Sequence, residues 1–500
     1  MSNRRDSEKI YDELIRRVKK IRNIGEAEEV LRWDQQVMMP EGGTPARSRQ
    51  LSTLSTVRHD LLTDEEVGKL IEDIDKEELS DEKRAVLREI SREYKRATRL
   101  PTELVEDISK TSSEAFSKWV ESKDRNDFSI FAPLLTDLVE LKKKYAEHID
   151  PDSPPYQVLF EDYEPYLSLD VAQETLKELR DGLVPFLEEI KDFGDTPSSD
   201  IFERDYSETD QERFIRSILE DFQFEWNHAR LDTAPHPFTA GTPFDVRITT
   251  RFGDNFLDSL LSTIHEFGHA SYTLGLPQEE YGTPLGESRG LTFHESQSRL
   301  WENHIGRSRP FWEYILPKAR DSFSLLDVSA EELYGAVNRV QESNLIRVEA
   351  DELTYHMHIV LRFEIENDLF RGNLEVEEIP GVWNEKMEKY LAVRPEKDSE
   401  GCLQDVHWSH GMFGYFPIYS LGSVLAAQIF DVMKDDFKGI ERKIRDGEFG
   451  EVRGWLTEKI HRHGKRFTTD ELIRRITCGE LATDNFLDYI KNKYGDVYNI

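Results

Sequence analysis

Residues 256–270 read Phe256-Leu257-Asp258-Ser259-Leu260-Leu261-Ser262-Thr263-Ile264-His265-Glu266-Phe267-Gly268-His269-Ala270. Their apolar positions recur at three and four, the period of a helix packed along one face. Gly275 and Pro277 supply the stop signal. Within this helix His265, Glu266 and His269 form an H-E-x-x-H pattern. Residues four apart lie one above the other on a helix, so the two imidazoles can converge on one divalent ion at about 2.0–2.1 Å. Glu266, one position round, is suited to act as general base towards a water at that ion. Gly268 costs about 1 kcal/mol of helix propensity against alanine. Its presence predicts a close approach by another element.

Outward from this segment the chain reads as helical almost throughout. Apolar periodicity of three to four predicts helices over 6–32, 64–98, 102–122, 129–148, 168–193 and 207–221 on the N-terminal side. Towards the C-terminus it predicts them over 293–305, 310–325, 329–368, 376–392 and much of 418–499. Asp150 to Pro155 and Gly194 to Ser199 are turn clusters. From Thr233 to Phe252 the composition turns to Pro, Gly, Thr and Phe, and residues 244–250 alternate as a strand does. No repeat or flexible linker divides the chain. The expectation is one mainly α, two-lobed domain spanning 1–500, with a small sheet near 244–250.

Composition narrows the function class. A formal charge of -34 repels phosphate backbones, which argues against nucleic acid as a partner. Two cysteines, Cys402 and Cys478, are too few for a secreted disulfide framework. The polar N-terminus lacks an apolar signal core, and no stretch is long enough to span a bilayer. A soluble cytoplasmic protein is expected.

A catalytic zinc site needs a third protein ligand and an open position. Glu295, in His294-Glu295-Ser296-Gln297, opens the next helical stretch and would complete a His₂Glu set. His294 and Glu287 are rivals for that role.

Six blocks in order resemble the thermostable carboxypeptidases typified by carboxypeptidase Taq. They are His236-Pro237-Phe238, Asp245-Val246-Arg247-Ile248-Thr249, His265 to His269, His294-Glu295-Ser296-Gln297, Ile346-Arg347-Val348-Glu349-Ala350-Asp351, and Gly401-Cys402-Leu403-Gln404-Asp405-Val406-His407-Trp408. Trp33-Asp34-Gln35-Gln36 and Asp162-Tyr163-Glu164-Pro165 are similar to that family as well. The resemblance implies a helical fold around a deep groove, a homodimer, and release of single amino acids from free peptide C-termini with broad specificity. It carries Glu295 over as third ligand, with one divalent metal per subunit, zinc or else cobalt. Many related zinc peptidases have an acidic residue four after that ligand, as a partner orienting the metal histidines. Here the place is Arg299.

A terminal carboxylate suits an arginine fork. Arg347 is the first candidate and Arg247, on what reads as an edge strand, the second. An oxyanion needs aimed donors. His407 and Tyr415 are proposed for this by analogy with related zinc peptidases, with His410 as rival to His407 and His236 as a further groove residue. Trp33, Trp301 and Trp408 read as core, and nothing marks Cys402 as a thiolate. Two alternatives remain: an endo-oligopeptidase or aminopeptidase with the same centre, and a helical binding scaffold with a dead site. The Gly-x-Met-Glu-Asn block of one aminopeptidase class is absent.

Overall fold

The computed structural model describes residues 2–193, 196–323, 328–341 and 345–500. The elements that position the site are α1 (Ser2–Val37), α2 (Thr44–Leu62), α3 (Pro155–Tyr163), β1 (Ala229–Thr233), β2 (Thr239–Thr242), β3 (Asp245–Thr250), α4 (Phe256–Leu274), α5 (Leu291–Arg299), α6 (Tyr355–Arg371) and α7 (Pro417–Asp436). A seven-residue π-helical segment, Leu300–Gly306, continues α5 without a break.

α4 starts where Asn255 caps it, its side chain accepting from Asp258 N at 3.1 Å. It is apolar on nearly every side because other elements enclose it. Phe267 packs against Phe222 and Trp301 with ring centroids 4.9 and 4.8 Å apart. Truncating such a side chain to alanine costs about 3–5 kcal/mol. α7 is buried on two faces. Leu425, Ala426 and Ile429 join the core under α4, whereas Leu421, Val424 and Ala427 join a second core built on α3, α6 and Trp383. These are the two lobes, with α7 as their shared wall. A groove of about 730 Å³ runs from Arg22, Glu29 and Trp33 on α1, past Thr239 on β2, to His294 on α5.

Two glycines set the spacing between α4, α5 and α7. A Cβ on Gly268 would meet Ser298 Cα at 2.5 Å, and one on Gly422 would meet Glu295 Cγ at 2.5 Å. The close approach expected at Gly268 is therefore that of the α5 backbone.

The sheet has order β1-β3-β2, with β1 parallel and β2 antiparallel to β3. β3 is thus central, which corrects the reading of Arg247 as an edge-strand residue. β2 lies inside the Pro- and Gly-rich stretch and β1 just before it, each too short to show alternation. The stretch 64–98 divides into Glu65–Asp73 and Asp81–Arg99, where Asp64 and Ser80 cap separate helices. The stretch 329–368 likewise divides into Ala330–Val337 and α6. Part of what lies between, 342–344, falls outside the described residues. α2 carries no buried residue, so it has no apolar stripe for a periodicity reading to find. Trp301 and Trp408 are core residues, whereas Trp33, though only 4% exposed, lines the groove beneath Arg230 and Arg247.

Candidate metal centre

His265 and His269 share one face of α4, their rings 4.9 Å apart and nearly perpendicular. Glu295 reaches them from α5. Its Oε2 lies 3.8 Å from His265 Nε2 and 3.5 Å from His269 Nε2, and the three ligand atoms all fall within 4.8 Å of one another. Tetrahedral donors at zinc bond lengths sit about 3.3–3.4 Å apart, so two nitrogens and one carboxylate oxygen at these spacings fit a divalent ion. The other oxygen of Glu295 accepts from Arg299 Nε at 2.7 Å, which turns Oε2 towards the histidines.

Each histidine is oriented from behind. His265 Nδ1 lies 2.8 Å from Glu302 Oε2. Burial pushes the Glu302 carboxyl up, but Arg299, His265 and Arg307 outweigh it and hold the group well below the usual carboxylate range. An ionised carboxylate only accepts, so the proton sits on Nδ1 and Nε2 keeps its lone pair. The missing acidic partner is therefore seven residues after Glu295, on the π-helical segment, and Arg299 bridges both glutamates. His269 Nδ1 meets His294 Nδ1 at 2.5 Å. Burial lowers the His294 pKa to about 4, so it stays neutral and can accept. His294 is thus a partner of His269. The other rival, Glu287, is held by Arg22 and Lys465.

Glu266 is 7% exposed, and burial raises its pKa. Its Oε2 accepts from Thr239 Oγ1 at 2.6 Å. The sheet thereby fixes the candidate base against α4. The start of α5 is fixed by Glu164, whose Oε2 accepts from Thr292 N at 2.8 Å while Oε1 accepts from Thr469 Oγ1 at 2.6 Å.

On the far side lies a layer of phenols. Tyr415 and Tyr419 have centroids 5.3 Å apart, and Tyr419 stands 6.1 Å from Tyr355. Burial, then the charge of Glu295, pushes Tyr415 up to about 12, so it remains an O–H donor. His407 lies behind, its centroid 5.6 Å from that of Tyr415 and its Nε2 3.4 Å from Tyr419 OH. Burial lowers the His407 pKa to about 4. Arg347 sits beneath the phenols, its Nη1 donating to Tyr355 OH at 3.1 Å. Its Nε and Nη2 both donate to Asp405 Oδ1, at 3.1 and 2.8 Å, and Asp405 Oδ2 accepts from Arg362 Nε at 2.7 Å. Gln404 Oε1 accepts from Arg347 N at 2.8 Å. Two of the sequence blocks thus meet as one ion-paired unit.

The remaining candidates sit elsewhere. Arg247 is bound to Asp245 at 2.7 Å and covers Trp33 at 4.3 Å. His236 is exposed in the loop between β1 and β2. His410 is exposed and stacked on Phe116 at 5.1 Å. Cys402 is buried, and burial pushes its thiol up, away from thiolate character. Glu302, Thr239, Tyr355 and Tyr419 were not singled out by the sequence. Only the histidine spacing signals a need for partners, and it does not say where they stand.

A family profile for carboxypeptidase Taq (M32) metallopeptidases matches residues 13–494. Thermostable carboxypeptidase 1 of Thermus thermophilus is 40% identical over 483 residues, covering 93% of this chain and 94% of that protein. Thermostable carboxypeptidase 1 of Pyrococcus furiosus is 37% identical, covering 96% of this chain and 98% of that one. The crystal structure of an M32 carboxypeptidase from Deinococcus radiodurans R1 superposes with a TM-score of 0.95 at 35% identity, over 98% of this chain and 100% of that chain. A putative oligoendopeptidase F, at 14% identity and a TM-score of 0.51, shares the fold alone.

Proposed function

The chain belongs to the carboxypeptidase Taq (M32) metallopeptidase family and is a metallocarboxypeptidase, and on that premise we propose how its own residues divide the work. His265, His269 and Glu295 hold one divalent metal, zinc or else cobalt. The observation that carries the reading is their three ligand atoms within 4.8 Å of one another, beside the buried Glu266. An ion held there supplies the Lewis acidity that makes a water nucleophilic at neutral pH.

Glu266 takes the proton of that water as it attacks the carbonyl of the last peptide bond. Buried beside the three ligands, it is placed to hold the proton and then pass it to the leaving amine. Thr239 keeps its carboxylate aimed while this happens. Tyr415, protonated and facing the charge of Glu295, donates to the developing oxyanion, with His407 behind it. Arg347 receives the substrate's terminal carboxylate on its Nη1 edge, the edge that meets Tyr355, while Asp405 fixes the rest of its fork. Arg247 and His236 serve peptide further along the groove. The products are single amino acids released with broad specificity. The working unit is one domain of 1–500, paired as a homodimer in the cytoplasm.

Glu266→Gln tests the division of labour. Metal stoichiometry is expected to stay at one per chain while kcat falls about 10³-fold or more, a loss of roughly 4 kcal/mol in transition-state stabilisation. Undiminished kcat in a metal-loaded variant would remove Glu266 from the mechanism.

A further inference from the structure

Glu366 is a fully buried carboxylate on α6 that the mechanism above does not use. Among the described residues it has no ion pair. It is held by three neutral donors. Trp408 Nε1 donates to Oε1 at 2.8 Å, and Tyr156 OH and Gly414 N donate to Oε2 at 2.8 and 2.9 Å. A buried charge without a counter-ion is costly, so a neutral residue would be the cheaper choice unless the carboxylate is needed.

The donors say what it is needed for. Tyr156 belongs to α3, and Trp408 and Gly414 are the immediate chain neighbours of His407 and Tyr415, at the two ends of the loop between them. Gly414 adopts φ +84°, and a Cβ there would meet Phe160 N at 2.7 Å, so the loop is pressed onto α3 at that point. Tyr415, the next residue, packs edge-on against Tyr163 of α3 at 5.0 Å. One carboxylate thus ties both ends of the loop to two helices.

We propose that Glu366 is a positioning residue for the hydrolysis: ionised, it pins the loop at Trp408 and Gly414 and so sets His407 and Tyr415 against the metal centre. The inference rests on the roles assigned above to His407 and Tyr415. The ionised form is the one the cradle requires. Trp408 Nε1 and Gly414 N can only donate, and Tyr156 could accept from a protonated carboxyl only by giving up the bond it donates, so protonation costs the cradle a hydrogen bond. Burial pushes the Glu366 pKa up to about 7 against its three hydrogen bonds and the charge of Arg362. Arg362 itself is committed to Asp405. Among the described residues, Tyr156, the phenol of Tyr163 and Arg362 are the titratable or charged groups that act on Glu366. The anchor therefore releases as pH falls through the neutral range.

The test uses the zinc-loaded full chain. Tyr156→Phe removes one donor at nearly constant shape. Metal content and far-UV circular dichroism are expected to be unchanged, with kcat down about 3–10-fold, the worth of one hydrogen bond, and KM little altered. The acid limb of the kcat profile is expected to move to higher pH, because the ionised form has lost a hydrogen bond. Trp408→Phe is expected to shift it in the same direction. Glu366→Gln is expected to lower kcat about 10–100-fold and to remove the share of that limb set by Glu366, leaving the limb set by the base Glu266. If it fails to fold, the two donor variants decide. Wild-type kcat and an unmoved acid limb in both donor variants overturn the proposal. Tyr415→Phe separates the two levels. A low kcat there with wild-type donor variants sinks the positioning role alone, whereas full activity in both Tyr415→Phe and His407→Gln sinks the reading on which it rests.

Discussion

Glu302 Oε2 stands 2.8 Å from His265 Nδ1, two turns beyond Glu295 along the continuous α5 and π-helical segment. The same carboxylate meets Arg299 at 3.2 Å, and its other oxygen lies 3.5 Å from Arg307. Glu302 therefore holds the Nδ1 side of His265 and leaves Nε2 turned towards Glu295. Glu302→Gln keeps the shape but weakens the acceptor and leaves Arg307 short of charge. Metal affinity is expected to fall about 10–100-fold, measured by competition with a chromogenic chelator. Activity at saturating metal should largely return. Unchanged affinity would show that Glu302 does not tune His265.

Gly422 tests the spacing of the helices. Alanine has the higher helix propensity by about 1 kcal/mol, so an open site would be stabilised. Here a Cβ would meet Glu295 Cβ at 2.6 Å and Cγ at 2.5 Å. Gly422→Ala is expected to destabilise by about 1–3 kcal/mol through overpacking and to weaken metal binding by displacing Glu295. Urea denaturation and metal titration on one sample check both effects.

How much of this was legible in the sequence follows the same lines. The spacing of His265 and His269 placed both on one face, because helix geometry is local, and Gly268 flagged the close approach that Ser298 makes. Glu295 was visible as an acidic residue opening the next helical stretch. Glu302 was not, since the partner of His265 depends on how α5 continues into a π-helical turn. The residues that gather behind the site come from far apart in the chain. Arg347, Arg362 and Asp405 form one unit across 58 positions, and Tyr156, Glu366 and Gly414 another. Periodicity sees one segment at a time and cannot join them. For the same reason it missed β1 and β2, whose pairing with β3 is tertiary, and α2, which buries nothing.

Asp405 lies between Arg347 and Arg362. Burial pushes its carboxyl up, but the two arginines prevail and hold it well below the usual range. A depressed carboxylate stabilises the fold above its unfolded pKa, about 3.9, and loses that contribution as pH falls through the folded value. Asp405→Asn is expected to cost about 3–5 kcal/mol at pH 7, as for breaking a buried ion pair. The gap to wild type should stay constant down to about pH 4 and narrow below it, as read from denaturant midpoints at each pH.

Metal removal should separate function from fold. Two large cores hold the site residues, so dialysis against a chelator is expected to abolish hydrolysis with little change in helix content. Zinc or cobalt should restore it. Bound ion should also stabilise the fold by mass action, by about 2.7 kcal/mol at a hundredfold excess over Kd, and so raise the unfolding midpoint. Differential scanning calorimetry with and without metal measures this.

The most direct test of the account follows the direction of cleavage. A short peptide with a free C-terminus and its C-terminally amidated twin are incubated with the zinc-loaded protein, and mass spectra are taken over time. The account predicts a ladder that shortens one residue at a time from the free C-terminus, with the amide left intact. Equal cleavage of both peptides, or internal cuts, would contradict it.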